Sequence, residues 1–166
     1  MKRHIFKDYD LSDFVVESNI IERVSVTTED HVAAWDKFLA TGPGEMHIGQ
    51  LQLLVAGLQP DAQLRERPGL DVRVGNHFPT PGGPKVRDRL LDLLVIANEI
   101  RHQVYPGDQA YKLHHEYETL HPFTDCNGRS GRALWLWTMG GVKRAPLGFL
   151  HTWYYQSLRD SDIRRG

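Results

Sequence analysis

Nowhere in this chain do apolar and polar residues alternate long enough to build a central sheet. Segment after segment instead carries apolar residues at helical spacing between a start signal and a stop signal. The first predicted helix runs from Leu11 to Arg23, with Asp10 or Ser12 as cap and Phe14, Val15, Ser18, Ile21 and Glu22 on neighbouring faces. A second opens at Thr27 or Thr28, has Glu29 and Asp30 in its first turn, and reaches Ala40. A third is expected over Gly44 to Leu58, ended by Gln59-Pro60. Pro84 suits the first turn of a long helix to Val104, with Leu90, Leu91, Leu94, Val95 and Ile100 as its apolar face. Helices over Asp108 to Leu120, Asn127 to Met139 and Pro146 to Leu158 complete a count of seven. Between the third and fourth, the stretch from Arg65 to Pro84 is too rich in proline and glycine for a helix. Val72 and Val74 around Arg73 predict one arm of a small hairpin, turning near Gly75-Asn76. The expected fold is all-α, a helical bundle with a β-hairpin appendage over 72–83.

A length of 166 residues fits one domain able to bury a core without disulfides or a structural metal. A net charge of -1 argues against nucleic-acid binding driven by bulk charge, and no direct nucleic-acid partner is expected. The single cysteine, Cys126, allows no internal disulfide and no zinc-ligand pair, which fits a reducing compartment. No stretch approaches the ~20 apolar residues of a membrane span, and the polar start MKRHIFKDYD lacks the core of a signal peptide. The expectation is a cytoplasmic protein without a membrane partner; oligomeric state is left open.

The most informative stretch for function is HPFTDCNGRSGR, His121 to Arg132, followed at once by the apolar run ALWLW. A polar turn feeding straight into a helix makes an anion site, because free N–H groups and the positive end of the helix dipole face the ligand. Arg129 and Arg132, three residues apart, share a helix face and suit phosphate oxygens. His121 lies just before the turn as a candidate base, and Asp125 as a candidate metal ligand. Together these suggest phosphoryl or nucleotidyl transfer.

HPFTDCNGRSGR resembles the signature of the Fic family, H-P-F-x-[D/E]-G-N-G-R-x-x-R, at every fixed position but one: Cys126 stands where the pattern has glycine. The segment RVGNHFPTPGGP also looks like the family's flap, a hairpin that docks the target, here carried by Val72, Arg73, Val74 and Gly75. The resemblance implies a single Fic-type helical bundle. It also implies a protein adenylyltransferase, moving AMP from ATP, with Mg²⁺, to a Ser, Thr or Tyr hydroxyl of a target protein or of itself. By the same resemblance His121 is the base, Asp125 holds Mg²⁺, residues 126–129 (Cys126, Asn127, Gly128, Arg129) form the anion-binding turn, and Arg132 binds the γ-phosphate. Phe123 anchors the loop. The alternatives are a phosphotransferase of the same fold, or a Fic-fold binding protein impaired by Cys126. Gly128 is present, where the phosphate-transferring branch departs from the pattern.

Many Fic proteins carry an inhibitory helix of pattern [S/T]-x-x-x-E-[G/N], whose glutamate pairs with the second motif arginine. Ser18 to Arg23, SNIIER, matches at Ser18 and Glu22, with Arg23 at the last position. The resemblance therefore implies inhibition by Glu22; the other reading of Glu22 is a solvated helix end.

Each motif residue also has a plainer reading. Asp125 could cap the following helix, and Arg129 and Arg132 could form structural ion pairs, Arg132 with Glu22. His114, His115 and His121 do not match a common zinc spacing, and Trp135, Trp137 and Tyr111 read as core or partly buried surface. Cys126 leaves two questions open. If its backbone must be left-handed, its side chain costs ~1–2 kcal/mol. If its thiol sits at a helix N-terminus beside arginines, its pKa is expected to fall, which would make the site sensitive to oxidation.

Overall fold

The computed structural model describes residues 10–144. The predicted helix over Pro146 to Leu158 lies outside them. Among the described residues there are six α-helices and one 3₁₀ turn: α1 Leu11–Ile21, α2 Glu29–Leu39, α3 Ile48–Leu58, α4 Pro84–Arg101, α5 Gly107–Leu120, α6 Asn127–Met139 and the turn Val142–Arg144.

The helix starts follow local chemistry. Asp10, rather than Ser12, caps α1 by accepting from the Asp13 N–H, while the Asp13 carboxylate returns to the Asp10 N–H. Of the two threonines offered by the sequence, Thr28 caps α2. Pro84 occupies the first turn of α4. α3 begins at Ile48, not Gly44, because Gly44 has φ 81° and the Glu45 N–H turns back to Gly42 O. Asn98 of α4 then brackets Met46, accepting from its N–H and donating to its carbonyl.

The hairpin expected over 72–83 is not formed. Val74 and His77 make a single antiparallel bridge around Gly75 (φ 58°), and no strand exists among the described residues. Pro79 and Pro81 offer no N–H to extend a ladder. The segment is pinned by side chains instead: Gly82 N–H donates to Asp71 Oδ1, and His77 Nε2 lies 2.9 Å from Thr119 O of α5.

The bundle is arranged around α6, which is buried along almost its whole length, including Trp135 and Trp137. Each of the other five α-helices packs on it, α5 most broadly. α1 is seated by Phe14, edge-on to Trp35 of α2 at 5.6 Å and stacked on Trp135 of α6 at 6.4 Å. That packing decides where the end of α1 points, and Glu22 is the residue that ends it.

Candidate active site

The loop between α5 and α6 is fixed by its own polar groups. Asn127 closes it: Oδ1 accepts from the Phe123 N–H and Nδ2 donates to Phe123 O, both at 2.8 Å. Phe123 is buried as an anchor and bridges to Leu64. Ser130 donates from Oγ to Cys126 O at 2.8 Å and meets the Tyr117 hydroxyl at the same distance. Asn127 thus braces the turn with its side chain, and only its backbone N–H remains for an anion. α6 has no acceptor within the helix for the N–H groups of Asn127, Gly128 and Arg129, since the first such bond runs from Ser130 N–H to Cys126 O.

Cys126 is left-handed, at φ 68° and ψ 16°. The question of its backbone is therefore answered, and the side chain carries the ~1–2 kcal/mol penalty. The expected drop in thiol pKa is corrected. The residue is buried, and that burial raises the thiol to about 11, outweighing Arg129 and Arg132, which pull it down. A buried thiol held protonated exposes little of the thiolate that oxidants attack, so slow oxidation of the motif turn is expected. Alkylation of the native protein at neutral pH should be slow and should accelerate sharply on unfolding. In denaturant melts, Cys126→Gly should be about 1 kcal/mol more stable than Cys126→Ala, because both lose the buried thiol but only glycine is relieved at φ > 0. Equal stabilities would mean the conformation carries no strain.

Arg23 repeats this situation. It is left-handed at φ 59°, just past the α1 C-cap, with its N–H bonded to Ile20 O. The inhibitory pattern has Gly or Asn there, the residues that end a helix in this conformation most cheaply. Both departures from family patterns thus put a side chain on a left-handed residue, and the chain makes both turns regardless.

His121 ends α5 in a left-handed conformation (φ 51°, ψ 64°). Its Nδ1 lies 2.9 Å from Glu118 O. A carbonyl only accepts, so Nδ1 carries the proton and Nε2 keeps the lone pair. Burial lowers the ring's pKa below its ordinary value, with Arg65 and His77 adding to the effect and the Glu118 carbonyl and Glu22 opposing it. His121 is accordingly a neutral base with a defined free nitrogen at pH 7.

A cleft of about 640 Å³ lies beside these groups, lined by His121, Asp125, Gly128, Arg132, Glu22 and the Val72–Val74 segment. All the sequence-predicted site residues line it except Ser18 and Gly75. Arg132 is 2 % exposed in its side chain and is held by α1: Nε donates to Ser18 Oγ at 2.8 Å, and Nη2 donates to Ser18 O at 3.1 Å and Glu22 Oε1 at 2.7 Å. Glu22 rests directly against Gly128, in the first turn of α6, where a Cβ would collide with its carboxylate. An anion thus already occupies the mouth of the helix, supplied by the chain itself. Ser18 is fully buried against Arg132, while Glu22, at the helix end, keeps part of its side chain in solvent.

Arg129 borders the same cleft as part of the turn. Its guanidinium faces the end of α3, with Nη1 3.3 Å from Leu58 O and Nη2 2.9 Å from Gln59 Oε1. Asp125 is exposed, and its Oδ1 accepts the Cys126 N–H. Among the described residues no three His, Cys, Asp or Glu side chains converge as a metal cage, His114 and His115 included. One carboxylate beside an anion site fits Mg²⁺, which completes its shell with phosphate oxygen and water.

Sequence reasoning missed Glu118. Its Oε1 is buried without a hydrogen-bond partner, and burial raises its carboxyl to about 8, with Arg132 opposing and Glu22 reinforcing. Its place three residues before His121 was the only available signal. Nearby His114 is pushed the other way, to about 3, by burial and then by Arg132. The signs separate them. As pH rises from 4.5 to 8, the unfolded chain releases the Glu118 proton that the fold retains, so stability falls. As pH falls below 6.5, the unfolded chain takes up a proton that buried His114 refuses, so stability falls there too. Between 6.5 and 8 only the Glu118 contribution of this pair remains. The melting temperature should decline over that window, and Glu118→Gln should flatten the decline.

Among the described residues no helix is long and apolar enough to cross a membrane. The model of the Fic/DOC family matches residues 27–139. No curated protein and no solved structure matches the chain.

Proposed function

The chain belongs to the Fic/DOC family, and from that premise we propose that it transfers AMP from Mg-ATP to a hydroxyl side chain of a target protein and is restrained by Glu22. Members of the family are generally nucleotidyl- or phosphotransferases that modify target proteins, typically with ATP and Mg²⁺. The observation that carries the finer reading is the neutral His121, Nε2 unprotonated, beside a helix mouth already holding a carboxylate clamped by Arg132.

In the proposed reaction the target hydroxyl oxygen attacks the α-phosphorus and passes its proton to His121 Nε2. The bond to the bridging oxygen breaks, and pyrophosphate leaves. The N–H groups opening α6 receive negative charge on the phosphates once Glu22 is displaced. Arg132, released from Glu22, is the group for the γ-phosphate. Asp125 would hold Mg²⁺, which when bound neutralises charge on the phosphate oxygens. Val72, Arg73 and Val74 line the cleft on the side where a target segment would lie.

ATP labelled at the α- or γ-phosphate tests the reading, with Glu22→Gly as the enzyme. Incorporation of the α label into protein is expected. Incorporation of the γ label alone would replace AMP transfer by phosphotransfer. Binding without incorporation would favour the second reading, an impaired protein, for which the left-handed Cys126 is the specific observation.

A further inference from the structure

Arg65 is fully buried and donates to four main-chain carbonyls. Nε reaches His121 O at 2.6 Å and Nη2 reaches Leu120 O at 2.9 Å, both at the end of α5. Nη1 reaches Thr80 O at 2.8 Å and Leu70 O at 3.2 Å, at the two ends of the segment that carries Val72–Gly75. The main chain of the same residue repeats the connection. Its N–H donates to Pro122 O at 2.8 Å, and its carbonyl accepts from Gly83 N–H at 2.9 Å. Gln63 and Thr124 add a reciprocal pair just outside it.

A guanidinium suits this place because its planar fork serves several acceptors at once, which a lysine ammonium does not. Two of the carbonyls lie at a helix C-terminus, where positive charge is favoured. Asp71 is the acid that supports the charge, without a hydrogen bond to it.

We propose that Arg65 is a positioning residue that joins the flap segment to His121, so that the base and the wall of the target groove are held in one geometry. The reaction needs both: the hydroxyl must be presented by the flap side at hydrogen-bond reach of a nitrogen whose backbone is left-handed. Arg65 touches no reacting atom; it acts through the carbonyls of His121 and Thr80. The proposal rests on the reading of His121 as the base.

The test uses Arg65→Lys and Arg65→Gln, each alone and in the Glu22→Gly background, with melting temperature recorded first. In the folded variants kcat should fall about tenfold, while KM for ATP stays within twofold because the nucleotide site is on α6. NMR titration of the His121 ring supplies a readout that needs no turnover. The groups acting on the His121 ring are the Glu118 carbonyl on α5 and Glu22 on α1, which raise it, and Arg65 and His77 of the flap segment, which lower it. Arg65→Gln removes one cation, so the ring should titrate higher than in the wild type; Arg65→Lys should remain close to it. A folded Arg65→Gln with unchanged kcat and unchanged ring titration would overturn the proposal. If the Glu22→Gly protein shows no transfer at all, the functional reading fails while the titration still decides the role of Arg65. If Arg65→Gln does not fold, wild-type hydrogen exchange decides: the amides of Arg65, Gly83 and Thr124 should open together, and independent opening would refute the coupling.

Discussion

Replacing His121 by alanine should lower transfer by ~10²–10⁴-fold while leaving ATP affinity within twofold. The loss falls on the chemical step because the imidazole is the neutral acceptor in the cleft, with Nδ1 committed to Glu118 O. Affinity is spared because the anion groups belong to the first turn of α6 and to Arg132, neither of which bonds the ring. The wild-type pH profile should carry the same signature. Since burial lowers the His121 pKa, the rate should hold as pH falls to 6.5 and decline only below it. Glu22 opposes that lowering, so the acid limb of Glu22→Gly should lie lower still. Steady-state kinetics of the derepressed protein across pH 5 to 8 measure both. A His121→Ala protein that retains transfer would remove the base from the mechanism.

Replacing Glu22 by glycine should raise ATP affinity and self-modification by about 10–100-fold. The apparent affinity of a site scales with the fraction of molecules in which it is open, and a minor state held at ~1–10% gives a gain of that size on release. Glu22 meets the proposed anion site at two points: its carboxylate rests on Gly128, and it pairs with Arg132 at 2.7 Å. The ion pair is asymmetric, with Arg132 2 % exposed and Glu22 37 % exposed in their side chains. Solvent screens the Glu22 end, so the stability loss should be only ~1 kcal/mol, a few degrees in melting temperature. Arg132 keeps its two bonds to Ser18 and stays in place. Glu22→Gln, which keeps the size but not the charge, should fall between. Calorimetric titration with Mg-ATP checks the affinity, and a variant that binds no more tightly than the parent would take Glu22 out of the anion site.

Helix identities were legible because they depend on local signals: caps at Asp10 and Thr28, Pro84 in a first turn, apolar spacing along each face. The motif was legible because its residues are contiguous. The hairpin was misread because alternation at Val72 and Val74 says nothing about a partner strand, and the prolines that follow supply none. Arg65 was invisible because a charged residue among Glu66 and Arg67 looks solvated; its four acceptors come from 5 to 56 residues away. Glu118 was missed for a related reason, since its shift arises from burial against α6 and the charges of Arg132 and Glu22.

The sequence by itself determined the helical bundle and the groups gathered where α6 begins, a histidine, a carboxylate and two arginines, since each needs only residue types at short spacing. Only the tertiary structure decided what those groups are doing. Packing of Phe14 on Trp35 and Trp135 sets α1 against α6, and this brings Glu22 to Arg132 across 110 residues of chain. Burial, a property of the whole fold, lowers the pKa of His121 and raises that of the Cys126 thiol, where the neighbouring arginines alone had pointed to a reactive thiolate.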